Sequence, residues 1–135
     1  MKLFESQLLT QLYRDAAASE RLRTHYLLHA SHAEKVQRLL IAMVQGSYVE
    51  PHYHELPQQW EMFTLLQGQV RVCLYADDGA VIQDFILSAQ DPLPLIEFTP
   101  GDIHSVECLS LQALLLEVKE GPFNQKYAKV GMSWF

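Results

Sequence analysis

The sequence predicts an all-β domain, a barrel or double-sheet jelly roll, preceded by one N-terminal α-helix. Three observations carry this reading. Apolar residues recur at helical spacing near the start of the chain, short apolar runs follow from about residue 36, and glycine or proline turn signals separate those runs. A β domain of this kind closes its sheet or pairs two sheets so that few strand edges are left bare.

The helix rests on Phe4, Leu8, Leu9, Leu12, Tyr13, Ala16 and Ala17, with Ser6 as the candidate N-cap. A short helix is marginal in water, so its apolar face is expected to pack on the body or on a second subunit. The stretch "SERLRTHYLLHASHAEK" reads as a polar bridge. The runs that follow are "VQRLLIAMV", "WEMFTLLQ", "QVRVCLYA", "AVIQDFIL", "LPLIEF", "IHSVECL" and "QALLLEVK", which with the histidine segment at 52–54 make seven or eight strands. "LQGQV" around Gly68 and "ADDGA" around Gly79 read as hairpin turns. Pro92, Pro94 and Pro100 confine the strands near them. The expected layout is one domain over 1–135, with helix and arm at 1–35, barrel at 36–120 and tail at 121–135.

Composition narrows the function. A chain of 135 residues suits one core, and 49% apolar with 19% charged residues is a globular balance. The formal charge of −6 offers no basic field for a phosphate backbone, so nucleic acid is not an expected partner. Glu5, Gln7, Gln11 and Arg14 interrupt the N-terminal apolar residues, unlike a signal peptide, and no segment is an apolar span, so the expectation is a cytoplasmic protein without a membrane partner. Cys73 and Cys108, inside strand-like runs, read as buried free thiols.

The chemistry concentrates in "PHYHELPQQWE". Side chains alternate across a strand, so His52 and His54 can share a face while Tyr53 points away. Glu61 can return beside them if "ELPQQ" joins antiparallel neighbours. Far along the chain, "FTPGDIHSVE" places His104 after a Pro100–Gly101 turn. Three imidazoles and a carboxylate suit Zn, Fe, Mn, Ni or Cu and leave coordination positions for water or substrate. The alternative is four polar residues on unconnected loops.

The spacing Gly46, His52, His54, Glu61, Gly68 resembles the first motif of the cupins, and "PGDIH" resembles the second. The resemblance implies a cupin-type double-stranded β-helix with His52, His54, Glu61 and His104 as ligands of one divalent metal ion. Two features depart from the common pattern: the gap from His54 to Glu61 is long, so the loop holding Pro57 must bulge, and Cys108 stands where many cupins carry Asn. The leading helix, "VQRLL", "GSYVEPHYH", "WEMF", "PGDIHS" and "EVKEGPF" resemble the WbuC family of cupin-fold metalloproteins, which implies a setting in bacterial surface polysaccharide metabolism.

Strand parity from the two histidines turns Tyr48 and Glu50 into the pocket, and parity from Glu61 does the same for Phe63. Arg38, a charge within an apolar strand, reads either as an anion binder or as half of a structural ion pair. Tyr48, Glu50 and Arg38 are therefore the candidate catalytic residues. Lys119 and Glu120 read as a solvated strand end, His25, His29 and His32 as surface histidines, and Phe4, Tyr13, Trp60, Phe85 and Phe98 as core or interface, Trp60 alternatively as the pocket mouth. The leading expectation is a metal-dependent enzyme, of isomerase or oxygenase type, acting on a small sugar derivative. A non-catalytic binding cupin and a metal-free sugar epimerase are the rivals. A homodimer is expected, with the helix or the terminal "MSWF" covering a partner's sheet edge.

Overall fold

The computed structural model describes all 135 residues, Met1–Phe135. Its elements are α1 (Ser6–Ala18), β1 (Arg23–Leu27), β2 (Val36–Val44), β3 (Tyr48–Tyr53), β4 (Glu61–Gln67), β5 (Gln69–Tyr75), β6 (Val81–Ser88), β7 (Leu95–Phe98), β8 (Ile103–Cys108), β9 (Gln112–Glu120), a 3-10 turn (Gln125–Tyr127) and β10 (Val130–Gly131). The strands form two antiparallel sheets, in the orders β1-β2-β9-β4-β7 and β10-β3-β8-β5-β6. This is the jelly roll with an N-terminal helix that the sequence predicts. No helix is long and apolar enough to cross a membrane.

The apolar stretches 39–44 of β2 and 113–116 of β9 are continuous because the helix covers the outer face of the first sheet there. Leu39, Ile41, Met43, Ala113 and Leu115 enter the barrel interior with Val70, Val72 and Val106 of the facing sheet. Ala42 and Leu114 face the other way, under Leu12, Tyr13 and Ala16 of the helix. Full burial of a side chain such as Leu12 contributes about 1.5–3 kcal/mol, which holds a helix too short to persist alone. The Tyr13 hydroxyl donates to Gln67 Oε1 at 2.8 Å and ties the helix to the end of β4.

Several local expectations are corrected. Glu5, not Ser6, occupies the N-cap, and its side chain makes no capping bond. The supposed polar bridge contains β1, which pairs with β2 from Arg23↔Met43 to Leu27↔Leu39, so the strands begin before residue 36. They also continue past residue 120, because β10 pairs with β3 through Val130↔Tyr53 and Gly131↔His52. "ADDGA" is the β5–β6 hairpin, but Gly68 makes no hairpin: it carries the chain from one sheet to the other, since β4 and β5 lie in different sheets. The terminal "MSWF" packs on its own chain, with Trp134 tilted against Tyr75 at 5.3 Å between ring centroids. Cys73 and Cys108 are free and buried, as expected.

Gly68 has φ +80°, and a Cβ there would collide with the carbonyl oxygen of Gln112; Gly101 has φ +93° but open space around it. Gly68→Ala is therefore expected to lower the unfolding free energy by about 3 kcal/mol or more, and Gly101→Ala by only about 1–2 kcal/mol from backbone strain. Urea denaturation of the two variants checks the difference, which vanishes if Gly68 is only a flexible link.

Candidate metal centre

His52 and His104 are directly opposed on β3 and β8, and Glu61 faces them from β4 in the other sheet. The connection from His54 to Glu61 thus crosses between sheets instead of joining antiparallel neighbours. Its extra length folds into a turn in which the Gln59 amide N–H donates to Leu56 O, and Gln59 Nε2 anchors it to Tyr127 O at 2.6 Å. His54 lies just past β3, where its carbonyl accepts from the Gly101 N–H at 2.9 Å. That bond joins the two histidine segments, about a third of the chain apart in sequence.

The four side chains are buried, and one ligating atom from each falls within 4.8 Å of all the others. Two histidines are oriented by the same local device. The Nδ1–H of His52 donates to Glu50 O at 2.8 Å, and that of His104 donates to Asp102 O at 2.9 Å. Each proton held there leaves an Nε2 lone pair for the site. The Asp102 carboxylate fixes the turn by accepting from the Thr99 N–H and hydroxyl, and Phe98 stacks on His104 at 3.7 Å and 7°. His54 Nε2 lies 2.9 Å from Glu61 Oε2, yet this buried nitrogen has no hydrogen-bond partner. A ring nitrogen and a carboxylate oxygen this close, without a well-formed hydrogen bond, are a pair that a shared proton or a cation between them relieves. The donor set is the mixed N and O set that divalent transition metals take, so the residues can hold a metal.

Electrostatics at the tetrad is set by burial first. Burial works to raise the Glu61 carboxyl, but the facing nitrogens of His104 and His54 hold it well below its usual range. Burial, and then repulsion from His104, push His52 down to about 4. Glu117, which the sequence did not single out, is pushed up to about 8 by burial and by the Glu61 charge, against the pull of Lys119. Lys119 Nζ sits 3.0 Å from Glu117 Oε1 and 3.9 Å from Glu61 Oε1. Lys119 is thus part of the site and not the solvated strand end expected, whereas Glu120 is exposed.

A cavity of about 350 Å³ adjoins the tetrad, lined on its inner wall by Gln37, Phe63, Glu117 and Lys119. Phe63 faces inward as expected. Tyr48 and Glu50 do not line it. A bulge in β3 sets three steps from Val49 to His52 against two from Val106 to His104, so parity flips and Val49 enters the cavity instead. Arg38 is exposed and forms neither the ion pair nor the pocket contact expected; its Nη2 donates to Leu28 O at 3.3 Å. Its neighbour Gln37 points inward and donates to His32 O and Glu34 O. Trp60 lines a second cavity that shares His54, Glu61 and Lys119.

Of the three histidines expected on the surface, His25 and His32 are exposed and His29 is not, and all three line the main cavity. His29 is buried, its Nδ1 held between the Arg38 carbonyl oxygen at 2.8 Å and the Arg38 N–H at 3.0 Å and its Nε2 without a protein partner. The alternation Arg23, His25, Leu27, His29 was the available signal: one strand face, polar where a core strand is apolar.

Fold and site together define a protein of the cupin fold with a three-histidine, one-glutamate cluster. A cupin superfamily protein from Desulfitobacterium hafniense DCB-2 is similar at TM-score 0.57 and 16% identity, over 73% of this chain and 76% of that one. The capsular polysaccharide assembling protein CapF from Staphylococcus aureus matches at TM-score 0.65 and 16% identity over 82% of this chain, which spans 31% of CapF. KdgF from Halomonas sp. matches at TM-score 0.59 and 14% identity, over 77% and 83% of the two chains. The chain belongs to the family described as Domain of unknown function (DUF6016), whose model matches residues 4–87. No curated protein sequence matches it.

The raised Glu117 carboxyl has a consequence for metal-free protein. Its folded value near 8 lies above the ordinary 4.5, so its contribution is complete below pH 4.5 and is lost as pH rises toward 8. Depressed His52 and Glu61 act in the opposite sense, and only below their ordinary values of 6.5 and 4.5. Between pH 6.5 and 8 the stability of chelator-treated protein should therefore fall, by at most about 1.4 kcal/mol per pH unit, and Glu117→Gln should flatten that slope. Urea titrations across this range check both slopes; equal slopes would show that Glu117 is not protonated in the fold.

Proposed function

We propose that this chain is a metal-dependent enzyme of the cupin fold acting on a small, oxygen-rich substrate such as a sugar derivative, with His52, His54, Glu61 and His104 holding one divalent cation. The carrying observation is the convergence of four buried donor atoms from both sheets, with the His54 Nε2 atom left without a hydrogen-bond partner. A bound divalent ion supplies Lewis acidity toward a substrate oxygen.

The chain's own residues supply the rest. Lys119, braced by Glu117, presents its ammonium beside the tetrad and can orient an electron-rich oxygen. His29 Nε2 offers a buried hydrogen-bonding group to a second oxygen. Leu39, Phe63 and Val106 exclude water from the deeper wall. Lys119, Glu117 and His29 thus take the positioning roles first assigned to Tyr48, Glu50 and Arg38.

The resemblance to WbuC proteins, together with the likeness to a capsular polysaccharide assembling protein, supports a role in bacterial surface polysaccharide metabolism. A metal-free epimerase pairing a histidine base with a tyrosine acid finds no tyrosine in the main cavity; Tyr127, in the second cavity, is the one it would have to use.

Elemental analysis of purified protein is expected to find one divalent transition metal per chain, and His54→Ala or Glu61→Gln should weaken its retention by at least tenfold. Chelation should abolish turnover in a screen of sugar metabolites and restored metal should recover it. Activity that survives chelation would favour the epimerase, and retained metal with binding but no turnover would favour a binding protein.

A further inference from the structure

The cavity opens between the sheet edges formed by β1 and by the segment entering β10, and cations stand on both sides of this slit. Arg21 and Arg23 line it from the β1 side and Lys129 from the β10 side. Arg23 is only 9% exposed, and its Nη1 donates to Arg21 O and Tyr48 O, which are neutral acceptors. None of the three cations makes an ion pair. Glu50 acts on Arg23 and Lys129 through space, but it is exposed and forms no ion pair with either. Burial and mutual repulsion together lower the pKa of Arg23 and of Lys129.

Burying a guanidinium without a counter-charge costs several kcal/mol, roughly what a forked bond to a carboxylate or phosphate offsets. The whole cavity is lined by four Lys and Arg side chains against two carboxylates, in a chain whose formal charge is −6. Positive charge is thus focused where a ligand enters an otherwise acidic molecule.

We infer that the cavity takes a small anionic ligand whose carboxylate or phosphate is held by Arg23 and Lys129 at the slit. Resting on the reading of the site as one for a small oxygen-rich substrate, this narrows the substrate class to sugar acids or sugar phosphates.

The probes are D-glucuronate, D-glucose 6-phosphate and neutral D-glucose, titrated by protein-observed NMR into metal-free and zinc-loaded protein, beside Arg23→Met and Lys129→Met. At least one anion should bind tenfold or more tightly than glucose, weaken with added salt, lose at least tenfold in Arg23→Met and at least threefold in Lys129→Met. The preferred anion tells carboxylate from phosphate. Equal binding of glucose and both anions, or unchanged anion binding in the variants, overturns the inference. Should Arg23→Met fail to fold by circular dichroism, Lys129→Met decides, since that side chain is exposed. Zinc content measured on the same samples separates the two readings. Selective anion binding without zinc uptake removes the metal, and zinc uptake without anion selectivity removes the anion site.

Discussion

Four donor atoms from both sheets meet at one buried point, and the rest of the site is arranged around that juxtaposition. Nitrogen lone pairs and a carboxylate oxygen at this separation attract one another only with a proton or a cation between them, so the fold holds the side chains there by other means as well. It does so with backbone carbonyls that fix the His52 and His104 tautomers, a ring stack from Phe98, and the bond from the Gly101 N–H to His54 O. Every one of these supports is local to a ligand or joins one ligand's segment to another. The apolar half of the barrel supplies the rigidity on which such precision depends.

Much of this was legible because the ligand motifs carry their own geometry. "PGDIH" encodes a left-handed glycine, an aspartate that closes the turn and a carbonyl two residues before His104, so sequence spacing and structure coincide. The continuous apolar stretches within β2 and β9 likewise announce the part of the sheet covered on both faces. Parity counting failed where β3 bulges, because one extra residue between Val49 and His52 moves Tyr48 and Glu50 outward; Pro51, which cannot donate to the ladder of a strand paired on both sides, was the available signal. Strand β1 escaped because its inward face is polar, with Arg23 and His25 facing a cavity and not a core. Lys119 looked like part of a solvated strand end and Glu117 carried no signal of its own, and only cross-strand pairing with Glu61 and Phe63 shows that they enter the site.

The fold and the chemistry stand at different levels of specificity. Proteins as different as CapF and KdgF share this barrel at 14–16% identity, so the architecture does not choose a reaction. What distinguishes this chain is the cavity wall around the tetrad: the Glu117–Lys119 pair, the unpartnered His29 nitrogen and the cations of the slit. These residues decide which molecule can lie against the cluster, and they come from β9, from β1 with the residues flanking it, and from the segment entering β10.

The convergence itself is tested most directly by X-ray absorption at the metal edge of zinc-loaded protein. The account predicts first-sphere scattering from nitrogen and oxygen at about 2.0–2.2 Å, with the outer-sphere signature of three imidazoles. A sphere of water oxygens alone, or one containing sulfur at about 2.3 Å, would contradict it.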